Sequence, residues 1–354
     1  MRLLLLLVLM APQEAAQRLK AGQEKIKLRD FDGAIPELEK CLELDSEEFN
    51  ASFGLGICFW EKERYPACRT QFRRVVELVE RKTPGATLTT VHQKLLGCAL
   101  LLEDFDDAVT ESTLLLKDQE RAEYYYDRAL ARQRKGDLNG ALDDCAAALR
   151  EDSQMAKVRV LRATIVHAKG DPATALSDLD QAARAKPSDP SVPLARGCLH
   201  LLQEQDAEAL AAFRASLKVN FGQTADLELR AVAHALVWVC ERRAGRDEAA
   251  AEELKTYQAA LKIYEKDPKK NHLLCLPLYL GGVLSEAELL KTAEAAVCRP
   301  AQSRCEAWAF IGERKRLAKD GEGARAAFQA AWDTRAQGTF EHALAAQRLK
   351  EQKR

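Results

Sequence analysis

Residues 136–190 read GDLNGALDDCAAALREDSQMAKVRVLRATIVHAKGDPATALSDLDQAARAKPSDP. The pair Gly136-Asp137 returns as Gly170-Asp171 thirty-four positions on, and Ala141 and Ala175 each lie four places beyond the aspartate. A fixed period of this length marks an architecture in which one supersecondary unit is copied along the chain. Within each copy the apolar residues fall at helical spacing. Each glycine closes one helix and the acid after it caps the next.

Working outward from this stretch, the same column of small residues reads Ala34, Cys68, Ala141, Ala175 and Ala209. Four places later stand Leu38, Phe72, Cys145, Leu179 and Phe213, with Cys145 smaller than the rest, and three beyond those Cys41, Val75, Ala148, Ala182 and Ser216. Twelve places before each anchor lies another small residue: Gly22, Gly56, Ala129, Ala163 and Gly197. Two antiparallel helices can cross closely only where one side chain at the crossing is nearly absent and larger ones fill the space around it. The pattern resembles the tetratricopeptide repeat (TPR) family. That resemblance implies an all-α, right-handed α-solenoid of stacked antiparallel helix pairs, whose first helices line a concave groove for a peptide or protein.

On this register the regular repeats occupy 15–48, 49–82, 122–155, 156–189 and 190–223. Residues 83–121 hold an inserted loop, beginning at Lys82-Thr83-Pro84-Gly85, and a degenerate unit in which Gly97, Phe105 and Ala108 fit if one residue is lost from the turn. An irregular helical pair follows at 224–264, with Trp238 where a small residue belongs, and Lys266 to Asn271 break the array. The C-terminal region, 265–354, is read as a capping region: a helix from Leu273 to Leu284, a second opened by the capping box Ser285 to Glu288 and running to about Val297, a TPR-like pair with Gly312, Ala324, Phe328 and Ala331, and a closing helix from Phe340. From Leu276 onward the chain resembles the last segment of exported bacterial TPR proteins. Arg348, Lys350, Glu351, Lys353 and Arg354 would give the final helix the polar face that a solenoid end needs.

Lys plus Arg (53) nearly balance Asp plus Glu (54), which argues against nucleic acid as the main partner. Met1-Arg2, the apolar run Leu3 to Met10 and the small residues after it describe a secretory signal over residues 1–14, so the expected address is periplasmic or secreted, and otherwise cytoplasmic. The run is too short for a membrane span, which takes ~20 apolar residues. No two of the cysteines show CxxC spacing. Cys298 and Cys305 flank an inter-helix loop, where a disulfide is one reading and two separate thiols the other.

Catalytic motifs are missing from the sequence: it has no HExxH, GxSxG or P-loop, and Asp106-Asp107 and Asp143-Asp144 read as acids favoured at helix starts. No enzyme activity and no cofactor are expected. The resemblance places the partner-binding residues at inward positions of the first helices: Asn50, Phe53 and Trp60; Tyr126, Leu130, Gln133 and Arg134; Lys157 and His167. Aromatic and Arg residues together are the composition of binding hot spots, although aromatics such as Trp60 and Tyr126 serve equally well between helices. The Lys and Asn of the chaperone-binding carboxylate clamp are replaced here by Leu19, Gln23 and Gly54, and by Tyr126, Leu130 and Leu161. The resulting expectation is an exported, non-catalytic scaffold. A cytosolic adaptor with an uncleaved N-terminus and a regulatory module of an enzyme complex are the alternatives.

Overall fold

The computed structural model describes residues 2–83, 88–219, 225–263, 272–296 and 298–351, with side chains from residue 12 and excluding those of 225–226 and 262–263. Residues 84–87 of the expected loop, the break at 266–271, and Lys353 and Arg354 lie outside the described residues. Every regular element among the described residues is an α-helix, and the chain divides into two compact units, 1–120 and 121–354. The first unit holds α1 (Arg2–Lys27), α2 (Phe31–Leu44), α3 (Phe49–Glu61), α4 (Tyr65–Lys82), α5 (Thr89–Leu101) and α6 (Phe105–Asp118). They pack as successive pairs, α1 with α2, α3 with α4 and α5 with α6.

The second unit opens with three regular pairs: α7 (Ala122–Lys135) with α8 (Leu138–Glu151), α9 (Ala156–Ala168) with α10 (Pro172–Ala185), and α11 (Ser191–Leu202) with α12 (Asp206–Lys218). Then come α13 (Ala225–Arg243), α14 (Asp247–Ile263), α15 (His272–Leu280), α16 (Glu286–Glu294), α17 (Pro300–Leu317), α18 (Gly321–Asp333) and α19 (Phe340–Glu351). The second helices start where sequence placed the caps: the Asp137 and Asp171 carboxylates accept from the amides of Gly140 and Thr174, and Gly136 ends α7 in the left-handed conformation. The Ser285 capping box is formed, although α15 ends at Leu280 and α16 at Glu294, short of the expected limits.

The repeat column is a packing rule. Ala34, Cys68, Ala141, Ala175 and Ala209 have no solvent exposure. A β-carbon added at Gly56, Gly197 or Gly312 would come 2.8, 2.4 or 2.6 Å from the ring of Phe72, Phe213 or Phe328. Phenylalanine stands opposite glycine at each of these crossings. Where Ala129 and Ala163 supply a methyl, the residue in that column is Cys145 or Leu179, both fully buried. The small Cys145 is therefore compensated by its neighbour, since the volume at each crossing has to be filled without overlap.

The degenerate unit needs a correction. Three residues (102–104) join α5 to α6, as three (62–64) join α3 to α4, so none is lost from the turn. Twelve places before Ala108 stands Leu96 and four after it Ser112, both buried, so the large and small positions are exchanged. Gly97 accommodates a different partner: an added β-carbon would meet the Trp60 indole at 2.7 Å.

Two charge readings also change. Asp144 does not merely favour a helix start; it is 3% exposed and pairs with Arg128 and Arg132, each at 2.7 Å. The Arg128–Asp144 pair recurs one period later as Arg162–Asp178 at 2.5 Å. Arg348, expected on the polar face of the last helix, is 3% exposed. Its guanidinium bonds the carboxylate of Glu313 at 2.9 Å, because α19 packs on both α17 and α18 and turns Arg348 towards α17.

Candidate functional site

The inner face of the second unit is where several polar side chains converge. The first helices α7, α9 and α11, together with α13, form one wall of a cavity of about 850 Å³; none of its lining comes from α10 or α12. The opposite wall is the turn at 337–339 and α19, with Arg299, Gln302 and Glu306 from the start of α17. The chain thus returns to its own inner face. A Gly338 β-carbon would lie 2.9 Å from the Gln133 side chain, and Gly338 has φ +75°, so the turn approaches α7 as only glycine allows. Arg134 clamps the same junction, donating to the Gln302 side chain at 2.9 Å and to the Gln337 carbonyl at 3.3 Å.

Of the nine residues placed in the groove by sequence, Gln133, Arg134 and His167 line this cavity. Gln133 is buried and donates to the Thr164 hydroxyl at 2.9 Å. Burial holds the His167 imidazole below its ordinary pKa. Tyr126 and Leu130 pack instead into the core between α7, α8 and α9. Burial pushes the Tyr126 hydroxyl up to about 12, and the exposed Lys157 lies with its ammonium 4.4 Å from the ring.

Asn50, Phe53 and Trp60 belong to the first unit. Asn50 is exposed and bonds Glu48 at 2.9 Å, at the start of α3. Phe53 is half-buried and meets Phe72 edge-on at 5.7 Å. Trp60 lies between α3 and α5, edge-on to Tyr65 at 5.5 Å, with the Lys94 ammonium 4.1 Å from its ring. Its principal work is inter-repeat packing, because the indole fills the space left by Gly97. Cys298 and Cys305 are not joined by a disulfide; Cys305 is buried in α17, with its sulfur 4.0 Å from the Thr339 hydroxyl.

Sequence reasoning missed the acidic part of the cavity. Glu306 is 6% and Glu341 8% exposed. The Glu306 carboxylate meets His272 Nε2 at 2.5 Å and accepts from Gln302 Nε2 at 2.8 Å. Burial, with Glu306 nearby, pushes the Glu341 carboxyl up to about 8. The available signal was the Glu341-His342 pair inside an otherwise apolar turn of the last helix, which a reading of α19 as a solvated cap passes over.

Among the described residues no group of three or more His, Cys, Asp and Glu is placed to hold a metal ion, and no helix is long and apolar enough to cross a membrane. The sequence model of the tetratricopeptide repeat family matches residues 19–86 and 160–223. Comparison with curated proteins gave no match. Among solved structures, a tetratricopeptide repeat protein from Parabacteroides merdae is 14% identical, covering 75% of this chain and 99% of its own, with a TM-score of 0.57. YrrB, described as a TPR protein with an unusual peptide-binding site, is 19% identical over 55% of this chain and 93% of its own, with a TM-score of 0.46. MamA from Desulfovibrio magneticus is 16% identical over 50% of this chain and 97% of its own, with a TM-score of 0.43.

Proposed function

We propose that this chain, an α-helical array with tetratricopeptide repeat matches at 19–86 and 160–223, is a non-catalytic scaffold that holds a segment of a protein partner on the inner face of its second unit. The observation that carries this reading is the cavity of about 850 Å³ walled by the first helices α7, α9 and α11. That volume suits a few side chains of an inserted segment, and the buried Gln133 and half-buried Arg134 and His167 offer fixed polar contacts. Rigid helices hold those contacts in place, so little ordering entropy is spent when the partner binds. An exported address, with residues 1–14 removed as a signal, belongs to the same proposal; N-terminal sequencing of the mature protein tests it, and an intact Met1 speaks against it.

The binding test uses Ala343→Trp. Ala343 is exposed and lines the cavity from α19, so an indole there obstructs the space without entering the core. Cross-linked pull-down with the full chain should recover the partner with the wild type and at least tenfold less with the variant, at unchanged helical content. Equal recovery by both would remove the cavity from the binding surface.

A further inference from the structure

Glu341 is a buried acid of the cavity with no cation in contact with it. Among the described residues it enters no ion pair, whereas its neighbour Glu306 is satisfied by His272 and Gln302. The charges that act on it are Arg134 on α7, Arg299 just before α17 and Glu306 on α17, with the thiols of Cys198 on α11 and Cys305 on α17 also within its field. Glu228 on α13 and Lys350 on α19 line the same space. Arg134 is already engaged with Gln302 and Gln337. The rest of the wall is largely apolar, with Leu194, Leu199, Leu229, Val232 and Phe340. Arg134 and Arg299 favour its ionised form, but burial and Glu306 outweigh them, and a buried carboxyl with no cation in contact is costly when ionised.

We propose that the cavity binds an organic cation, a primary ammonium or guanidinium on an apolar stem, with the stem against the leucine and phenylalanine wall and the cationic head at Glu341. The inference deepens the scaffold reading and rests on it for its occupant, a Lys or Arg side chain of the bound segment. In the empty cavity the Glu341 carboxyl carries its proton, since burial and Glu306 raise its pKa to about 8. On binding, the O–H bond breaks, the carboxylate pairs with the cation, and one proton passes to solvent. An anion would be drawn instead towards Arg299 and Lys350 of the same lining, and beside Glu341 it would hold that carboxyl protonated. A metal ion would leave the apolar wall without a role.

The probe is n-hexylamine, titrated calorimetrically into the full chain, with hexanoate and hexanol as controls. The amine should bind at least tenfold more tightly than either control at pH 8.5. Between pH 6.5 and 8.5 its affinity should rise about 20-fold, as Glu341 loses the proton that competes with the ligand. The cavity imidazoles His167 and His342 are held below their ordinary pKa by burial, so they gain little charge in this window. At pH 7, titrations in buffers of different ionisation enthalpy should show close to one proton released, a readout that needs no variant.

Glu341→Gln should abolish both the pH dependence and the preference for the amine. Hexanoate binding best, or no discrimination among the three probes, would overturn the proposal. A blocked leucine-lysine-leucine peptide, compared with its norleucine counterpart, distinguishes a side chain from a free amine: a lysine preference lost in Glu341→Gln supports the side chain. Partner recovery on the same preparations separates this inference from the scaffold reading. A partner retained while hexylamine ignores Glu341 removes the cation site alone; amine binding with no partner recovered removes the scaffold alone.

Discussion

Glu313→Gln tests how the second unit is locked together. Glu313 sits in α17 with its side chain 2% exposed; it meets Arg243 of α13 at 3.0 Å, Arg348 of α19 at 2.9 Å and Arg316 at 2.9 Å. Burial alone would raise its pKa, but Arg243, Arg348 and Arg316 together hold it down to about 2. Its ordinary value in an unfolded chain is near 4.5. The folded pKa is the lower one, so the stabilisation is fully present above about pH 4.5 and is lost as the pH falls towards 2. At 1.36 kcal/mol for each pKa unit this amounts to about 3 kcal/mol at neutral pH. Glutamine keeps the shape and removes the charge; Arg243 retains Asp206 and Arg348 retains Glu351, so the loss lies at or below the lower end of the about 3–5 kcal/mol of a fully broken buried pair, about 2–3 kcal/mol. For a unit of this size each kcal/mol moves the midpoint by roughly 2–4 °C, so the variant should melt about 4–12 °C lower at pH 7. Thermal unfolding followed by circular dichroism from pH 7 to pH 2 provides the measurement. The gap between wild type and variant should close across the acid range. A gap that is absent at pH 7, or that persists unchanged to pH 2, would refute the account of the network.

Three other expectations concern the core and the cavity. Glu341→Gln should stabilise the protein at pH 8.5 and leave it unchanged near pH 4: the folded pKa of about 8 lies above the unfolded value of 4.5, so ionisation opposes folding increasingly between them and glutamine escapes that cost. A variant less stable than wild type at pH 8.5 would contradict this. Ala175→Trp should unfold α9 and α10, since Ala175 has no exposure and the crossing has no room for an indole; hydrogen exchange would reveal it, and native-like protection there would count against the packing rule. Hydrogen peroxide should bridge Cys68 and Cys98 before any other pair, two thiols and one peroxide giving a disulfide and two waters, because their sulfurs are 3.4 Å apart and need approach by only ~1.4 Å. Peptide mapping that finds a Cys298–Cys305 bridge first would disprove it.

The regular pairs were readable because their signal is local and repeated. Small residues at Ala141, Ala175 and Ala209 recur at one period, and each recurrence narrows the choice of register. The degenerate unit was misread because Leu96 and Ser112 exchange sizes, which preserves the crossing while breaking the pattern of residue types. The Arg128–Asp144 and Arg162–Asp178 pairs share the period too, and comparing charged columns as well as small ones would have exposed them. What could not be read was the return of α19 to the inner face. The contact between Arg134 and Gln337 joins residues 203 positions apart, and no short-range spacing encodes such a closure. The nine groove residues were accordingly separated: three line the cavity, while Trp60, Tyr126 and Leu130 went into the packing that stacks one pair on the next.

That return changes the physics of the inner face. On an open groove a ligand's charges stay hydrated, and an ion pair formed there contributes little, about 0–1 kcal/mol. With α19 and the 337–339 turn as a second wall, Glu306 and Glu341 are withdrawn from water, and the same pair acts in a medium of lower effective dielectric. Withdrawal also makes the unpaired acid a cost to the empty protein, so binding gains by relieving a state that is already unfavourable. The helix that would seal a solenoid's end by being polar here carries Phe340, Leu344 and Arg348 inward. The result is a discriminating chamber: a segment without a cation at the right depth would leave Glu341 protonated, forfeit the ion pair, and retain only its apolar contacts.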